Sequence, residues 1–289
     1  MKTLIVICEK GNMNHFRLYL WLIITLSFLV SPKAYSQKKE YSNYLFKYYL
    51  EKGIELNIGS PVSANEILNL AKSNPKSLTV YSNGYRTSEI VEIAKAGVKI
   101  ILQKNKNNNK QLNHFDYIKI IENCSNGITL EYHGGNQSLN DLAKNNIHIR
   151  IVKKVSQYQV EKLIRRHPHN FTVVSKHNPN GLKKYLTLGA KIEVNHLMNP
   201  SQVEQLIRKG KKMVTINCDK YSYSELRKFV ELGAKIVISK PLSQKEITKL
   251  VQSNPYNVTV NTTYYSKQEI ERIVKYGLRN LKYTTCNNM

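Results

Sequence analysis

The 289-residue chain predicts an α/β repeat fold: an open solenoid of about ten or eleven 22-residue strand-helix units with parallel strands, with a closed α/β barrel as the alternative. Three observations predict it. First, an apolar strand position recurs at Leu56, Leu78, Ile100, Ile128, Ile149, Phe171, Ile192, Val214, Ile236, Val258 and Leu281, with one longer step between Ile100 and Ile128. Second, a doubled period overlies the first. Thr79, Thr129, Thr172, Thr215 and Thr259 share one strand position in alternate units, while Gly97, Gly189, Gly233 and Gly277 end the helices of the intervening ones. Third, Ser63 with Glu66, Ser222 with Glu225, Ser243 with Glu246 and Ser266 with Glu269 stand at capping-box spacing, and Ser156 with Gln159 and Asn199 with Gln202 are weaker versions. Strand, helix, strand in steady alternation implies parallel pairing through right-handed crossovers.

The elements follow in chain order. Residues 1–36 read as a signal peptide: Arg17 precedes the apolar run Leu18 to Val30, and Ala34-Tyr35-Ser36 forms a small-x-small cleavage site. The stretch before Met13 is atypical for a signal, which favours Met13 as the start, and no integral membrane span is expected once the signal is removed. Residues 37–53 place Tyr41, Tyr44, Leu45, Tyr48 and Tyr49 at helical spacing and read as a helix capping the first strand. The repeat domain then runs over 54–289. Its long step holds an Asn/Lys-rich loop insertion at 105–113, and Asn145-Asn146 takes the place of one capping glycine. The last strand, near Leu281, is left as an exposed edge where a second copy could pair.

Lys and Arg total 44 against 20 Asp and Glu, a formal charge of +24, of which +21 remains after the four basic residues and one acidic residue of 1–36 are removed. A field of that sign attracts polyanions. Cys124, Cys218 and Cys286 remain beyond the signal without a Cys-x-x-Cys pattern, so free thiols are expected, and neither a metal site nor a cofactor is expected. Residues that follow strands supply a basic edge: Lys104, His133, Lys153, Lys154, Lys176, His177, His196, Lys220 and Lys240. Strand ends and helix N-termini are where parallel α/β folds gather ligands. The leading reading is therefore a non-enzymatic exported binding protein, secreted or periplasmic. Its basic edge would engage an anionic polymer (lipopolysaccharide, cell-wall polymer, glycosaminoglycan or nucleic acid) or another protein. The alternative is a secreted hydrolase or lyase on a barrel, with His133, beside Gly134-Gly135, as its catalytic candidate and His177 or His196 as partners. A third reading is a secreted effector or virulence factor. No phosphate-binding glycine loop, nucleophile elbow or His-Glu-x-x-His is present.

Overall fold

The computed structural model describes residues 43–59, 62–103, 112, 114–124, 126–133, 139–144, 147–152, 155–174, 178–217 and 219–283. The chain divides into a unit from Met1 to Leu45, described only at 43–45, and a compact unit from Phe46 to Met289. A helix over 43–51 (α1) leads into strictly alternating elements. They are β1 (Glu55–Ile58), α2 (Ala64–Ala71), β2 (Leu78–Tyr81), α3 (Thr87–Lys95), β3 (Lys99–Leu102), α4 (His114–Glu122), β4 (Ile128–Tyr132) and α5 (Leu139–Lys144). There follow β5 (His148–Ile151), α6 (Gln157–Arg166), β6 (Phe171–Val174), α7 (Pro179–Thr187), β7 (Lys191–Val194), α8 (Pro200–Lys209), β8 (Val214–Ile216) and α9 (Tyr223–Glu231). The series ends with β9 (Lys235–Ile238), α10 (Gln244–Ser253), β10 (Val258–Asn261), α11 (Lys267–Lys275) and β11 (Asn280–Tyr283).

All eleven strands pair in parallel with their sequence neighbours, and β11 pairs with β1, so the sheet is a closed barrel. At the seam Glu55 lies opposite Asn280 and Leu56 opposite Leu281, and the Glu55 N–H donates to the Arg279 carbonyl at 2.7 Å. The open solenoid is thus corrected to its alternative, and the edge expected at the last strand does not exist, because both sides of β11 are hydrogen-bonded. The reason is geometric. Helices stand near 10 Å apart while strands stand about 4.8 Å apart, and a helix layer on one face only turns each unit by roughly 30°, so about a dozen units complete a circle. Eleven units are close to that number.

The 22-residue series from Leu56 to Leu281 faces the helices, where every member is buried. It meets apolar helix faces such as Val203, Leu206 and Ile207 of α8 and Leu226, Phe229 and Val230 of α9. Each of these side chains contributes about 1.5–3 kcal/mol by leaving water. The intervening strand positions face the lumen, and the doubled period is the layering of that lumen: alternate strands supply alternate layers in a parallel barrel. Even-numbered strands contribute the threonines, and odd-numbered strands contribute a pair of positions flanking that level, such as His148 and Arg150 or Lys191 and Glu193. Eleven is odd, so two strands of the second kind, β11 and β1, meet at the seam.

Local chemistry makes the elements as the spacing predicts. All four Ser/Glu pairs close full capping boxes, and Ser156 accepts from the Gln159 N–H, whereas the Asn199 side chain caps the Ser201 N–H rather than Gln202. The four glycines hold φ between 83° and 102°. At Gly189, φ is 98° and an added Cβ would lie 3.2 Å from Pro168 Cβ, so Gly189→Ala is expected to cost about 1–3 kcal/mol, read as a lower urea midpoint with unchanged slope. Helix α1 falls within the expected 37–53, of which 37–42 lie outside the described residues. With the ring closed there is no first edge to seal, and Phe46 instead packs edge-on against Tyr283 of β11, ring centres 4.7 Å apart. The insertion expected at 105–113 falls between β3 and α4 and, Leu112 apart, lies outside the described residues, as do residues 1–36, Asn145-Asn146, Cys218 and Cys286. Cys124 is a free thiol.

Candidate functional site

The carboxyl ends of the strands form one rim of the barrel, and three tyrosines each tie a rim turn to the one before it. Tyr85, Tyr221 and Tyr265 each stand one residue before a helix N-cap. The Tyr85 hydroxyl donates to the Val62 carbonyl, Tyr221 bridges the N–H and C=O of Met198, and Tyr265 bridges the Leu242 N–H and Lys240 C=O. Each bond reaches back one repeat, so three pairs of neighbouring strand-to-helix turns are tied together.

Inside that rim the lumen is polar. A barrel's diameter grows with strand number, and at eight strands side chains just fill the interior, so eleven strands give about 1.4 times that width. Branched apolar residues, which fill a packed eight-stranded barrel, are a minority of the inward layers here, at Ile101, Val174 and Val237. The rest include Asn57, the five threonines, Tyr81 and a set of charges. Arg150 of β5 is the hub: Nε and Nη2 donate to the two oxygens of Glu193 on β7, both at 2.7 Å, and Nη1 donates to Glu131 on β4. The carboxylates are held in turn, Glu131 by Gln103 Nε2 at 2.9 Å and Glu193 by Asn217 Nδ2 at 3.2 Å. Asn83 extends the chain beyond Gln103, and Ser239 donates to Asn217. A continuous hydrogen-bonded arc thus runs from the end of β2 to the end of β9.

Two further groups face this arc. Lys282 of β11 sits half-buried, with Asn57 and Asn261 as its register neighbours, and feels the charges of Glu193, Arg150 and Glu131. Partial withdrawal from water, with Arg150 adding to it and the carboxylates opposing it, leaves its ammonium pKa lowered. Tyr81 of β2 is pushed up to about 12, by burial first and then by Glu131, so it stays a protonated donor. Burial works against the Glu193 charge, but the Arg150 hydrogen bonds and charge outweigh it and hold the carboxyl below its ordinary value.

The opposite mouth is basic. Lys99, His148, Lys191 and Lys235 occupy the inward positions at the amino ends of β3, β5, β7 and β9. His148 Nε2 lies 2.7 Å from Thr172 Oγ1. Burial and the nearby Lys191 lower its pKa from 6.5 to about 4. Between those values the unfolded chain binds a proton that the folded chain refuses, so this contribution is complete above pH 6.5 and is lost as pH falls toward 4. The His148→Gln variant, which keeps a partner for Thr172, is expected to flatten the loss of melting temperature over that window by a difference on the order of 2–3 kcal/mol.

Of the described residues expected at the strand ends, His133 joins the lumen cluster, with Nε2 3.6 Å from Glu131 Oε2. His196 and Lys220 are exposed on the rim. Lys240 is committed to structure, its ammonium donating to the Tyr221 carbonyl. Lys104, Lys153, Lys154, Lys176 and His177 lie outside the described residues. The residues that sequence reasoning missed, Glu131, Arg150, Glu193 and Lys282, each carry a charge between two residues of a β-type run: Leu-Glu-Tyr, Ile-Arg-Ile, Ile-Glu-Val and Leu-Lys-Tyr. That pattern is a legible signal for an inward charge on a half-buried strand. Among the described residues, no group of three His, Cys, Asp or Glu could hold a metal ion, and no helix is long and apolar enough to cross a membrane.

No family model and no curated protein matches this chain. Solved structures do match in fold, at low similarity. A glycerol uptake operon antiterminator regulatory protein from Listeria monocytogenes is 8% identical, with 81% of this chain and 94% of that chain covered and a TM-score of 0.32. A protein assigned as a lyase/mutase from Burkholderia cenocepacia is 9% identical, with 75% and 80% covered and a TM-score of 0.37. A mandelate oxidase variant is 11% identical, with 76% and 70% covered and a TM-score of 0.34.

The closed ring corrects the reading of an open repeat stack that holds a polyanion or a protein along a basic edge. A barrel offers no such edge: the strand ends are arranged in a circle, and of the described lysines and histidines there Lys240 is bonded to the Tyr221 carbonyl and His133 lies against Glu131. What the sequence presented as a ladder is a rim around a polar lumen.

Proposed function

We propose that this protein is an enzyme of the hydrolase or lyase class acting on a small polar molecule, with its site in the carboxyl-end half of the barrel lumen. The observation that supports it is the charged arc of Glu131, Arg150 and Glu193, faced by Lys282 and Tyr81, in a space that packing alone would fill with apolar side chains. The arrangement suits acid–base work. Tyr81 is a protonated donor, Lys282 a cation of reduced basicity, and His133 at the rim stands beside Glu131 to exchange protons with water. Glu193 and Arg150 act as positioning residues, because their own hydrogen bonds are already made to one another.

The test is a thermal-shift panel of small carboxylates, sugar phosphates, aldehydes and ketones, followed by product analysis of each compound that binds. The variant Val237→Trp fills the lumen from β9 without removing a polar group. Compounds that stabilise the wild type should lose their effect in this variant, and at least one should be converted. Equal shifts in both proteins would place binding elsewhere, and binding without conversion would sink the enzymatic reading.

A further inference from the structure

Lys282 differs from the other charges in the carboxyl-end half of the lumen in one respect that bears on chemistry. Arg150, Glu131 and Glu193 spend their hydrogen-bonding capacity on one another and on Gln103 and Asn217, whereas the Lys282 ammonium donates to no described residue. Its backbone is fixed on both sides, by β1 and by β10, at the seam where two strands of the same kind meet. The flanking inward positions are Asn57 and Asn261, which carry no charge. The titratable groups that act on it come from across the lumen: Glu193, Arg150 and Glu131. A lysine stem that projects from a rigid strand into a half-buried polar space, with its head uncommitted, has the placement of a nucleophile rather than of a structural cation.

Resting on the lumen-site reading above, we propose that Lys282 is the covalent nucleophile of this site and that its substrates are small aldehydes or ketones, captured as an imine. The Lys282 ammonium releases one proton to solvent, and the free amine forms a C–N bond to the carbonyl carbon. The carbonyl oxygen then takes one proton from that nitrogen and one from solvent and leaves as water, giving a protonated C=N bond. No oxidant or reductant is needed. The lowered basicity of Lys282 raises its share of free amine near neutral pH, and the Glu131 and Glu193 carboxylates face the cationic imine. The reaction class is therefore lyase chemistry next to a carbonyl, where the imine acts as an electron sink for a bond broken at the adjacent carbon.

The experiment uses the full chain with glyoxylate as the carbonyl probe and sodium cyanoborohydride to trap the imine as a secondary amine, with the sites located by peptide mass spectrometry. Lys282 is expected to be labelled on the order of tenfold faster than the mean of the other lysines. The preference should vanish in urea, which separates the folded environment from local sequence. Lys282→Gln, checked for an unchanged melting transition, should abolish the fast phase. Label spread evenly over exposed lysines would overturn the proposal. If Lys282 stays unlabelled while a compound from the panel still binds in a lumen-dependent way, the imine chemistry falls and the lumen site stands. If neither occurs, both fall.

Discussion

Replacing Arg150 by methionine is expected to lower the stability of the protein by about 3–5 kcal/mol, a fall of roughly 6–20 °C in melting temperature for a unit of this size. The guanidinium has 23% of its side chain exposed and the two carboxylates it joins have 9% and 11%, so the variant leaves two charges largely out of water with only the amides of Gln103 and Asn217 donating to them and no guanidinium to offset them. The cost arises from those stranded carboxylates rather than from loss of an attraction. The triple variant Arg150→Met, Glu131→Gln, Glu193→Gln should accordingly recover most of the loss. The Glu193 part of the effect has a definite pH sense. Its folded pKa is held below the unfolded value, so its contribution is present above the ordinary carboxylate range and is lost as pH falls through the lowered folded value. An Arg150→Met protein that melts with the wild type at neutral pH would show that the arc is solvated decoration.

Removal of residues 280–289 is expected to abolish cooperative unfolding altogether. Strand β11 supplies hydrogen bonds to both β1 and β10, and its Leu281 is fully buried, so its loss opens two sheet edges and a face of the core at once. In an open stack the last unit would contribute only its own term and one interface, and the shortened chain would melt as a slightly less stable protein. The two architectures therefore differ in kind, and a calorimetric trace on the shortened chain distinguishes them.

How much of this was legible in the sequence depends on the level. The eleven strands, their parallel order and the helix caps follow from the period, the Ser/Glu pairs and the glycines, because those signals are local. Closure stands in the sequence only as the alternative, because a strand-helix pattern of this length is shared by stacks and barrels, and the deciding quantity is the curvature accumulated over all units. The same gap misdirected the site. The residues after each strand were read as an edge, so Lys240 and His196 drew attention for their position. The informative residues were single charges inside strands, such as Arg150 between Ile149 and Ile151. Thr79, Thr129, Thr172, Thr215 and Thr259 were recognised as a doubled period, yet that period has a layered lumen as its cause, and only a closed ring makes it one. The tyrosine ties at Tyr85, Tyr221 and Tyr265 are hidden in a chain rich in tyrosine, although their place one residue before an N-cap is the same in all three.

The measurement that bears most directly on a closed barrel with a lumen site is a cross-link at the seam. Glu55 and Asn280 are 225 positions apart in sequence and are register partners on β1 and β11, within reach of a disulfide between adjacent strands. With both replaced by cysteine and the native cysteines by serine, mild oxidation should join them within one chain, giving a faster-migrating monomer on a non-reducing gel. A reaction that yields only dimers, or none at all while the protein remains folded, would contradict closure and with it the enclosed site.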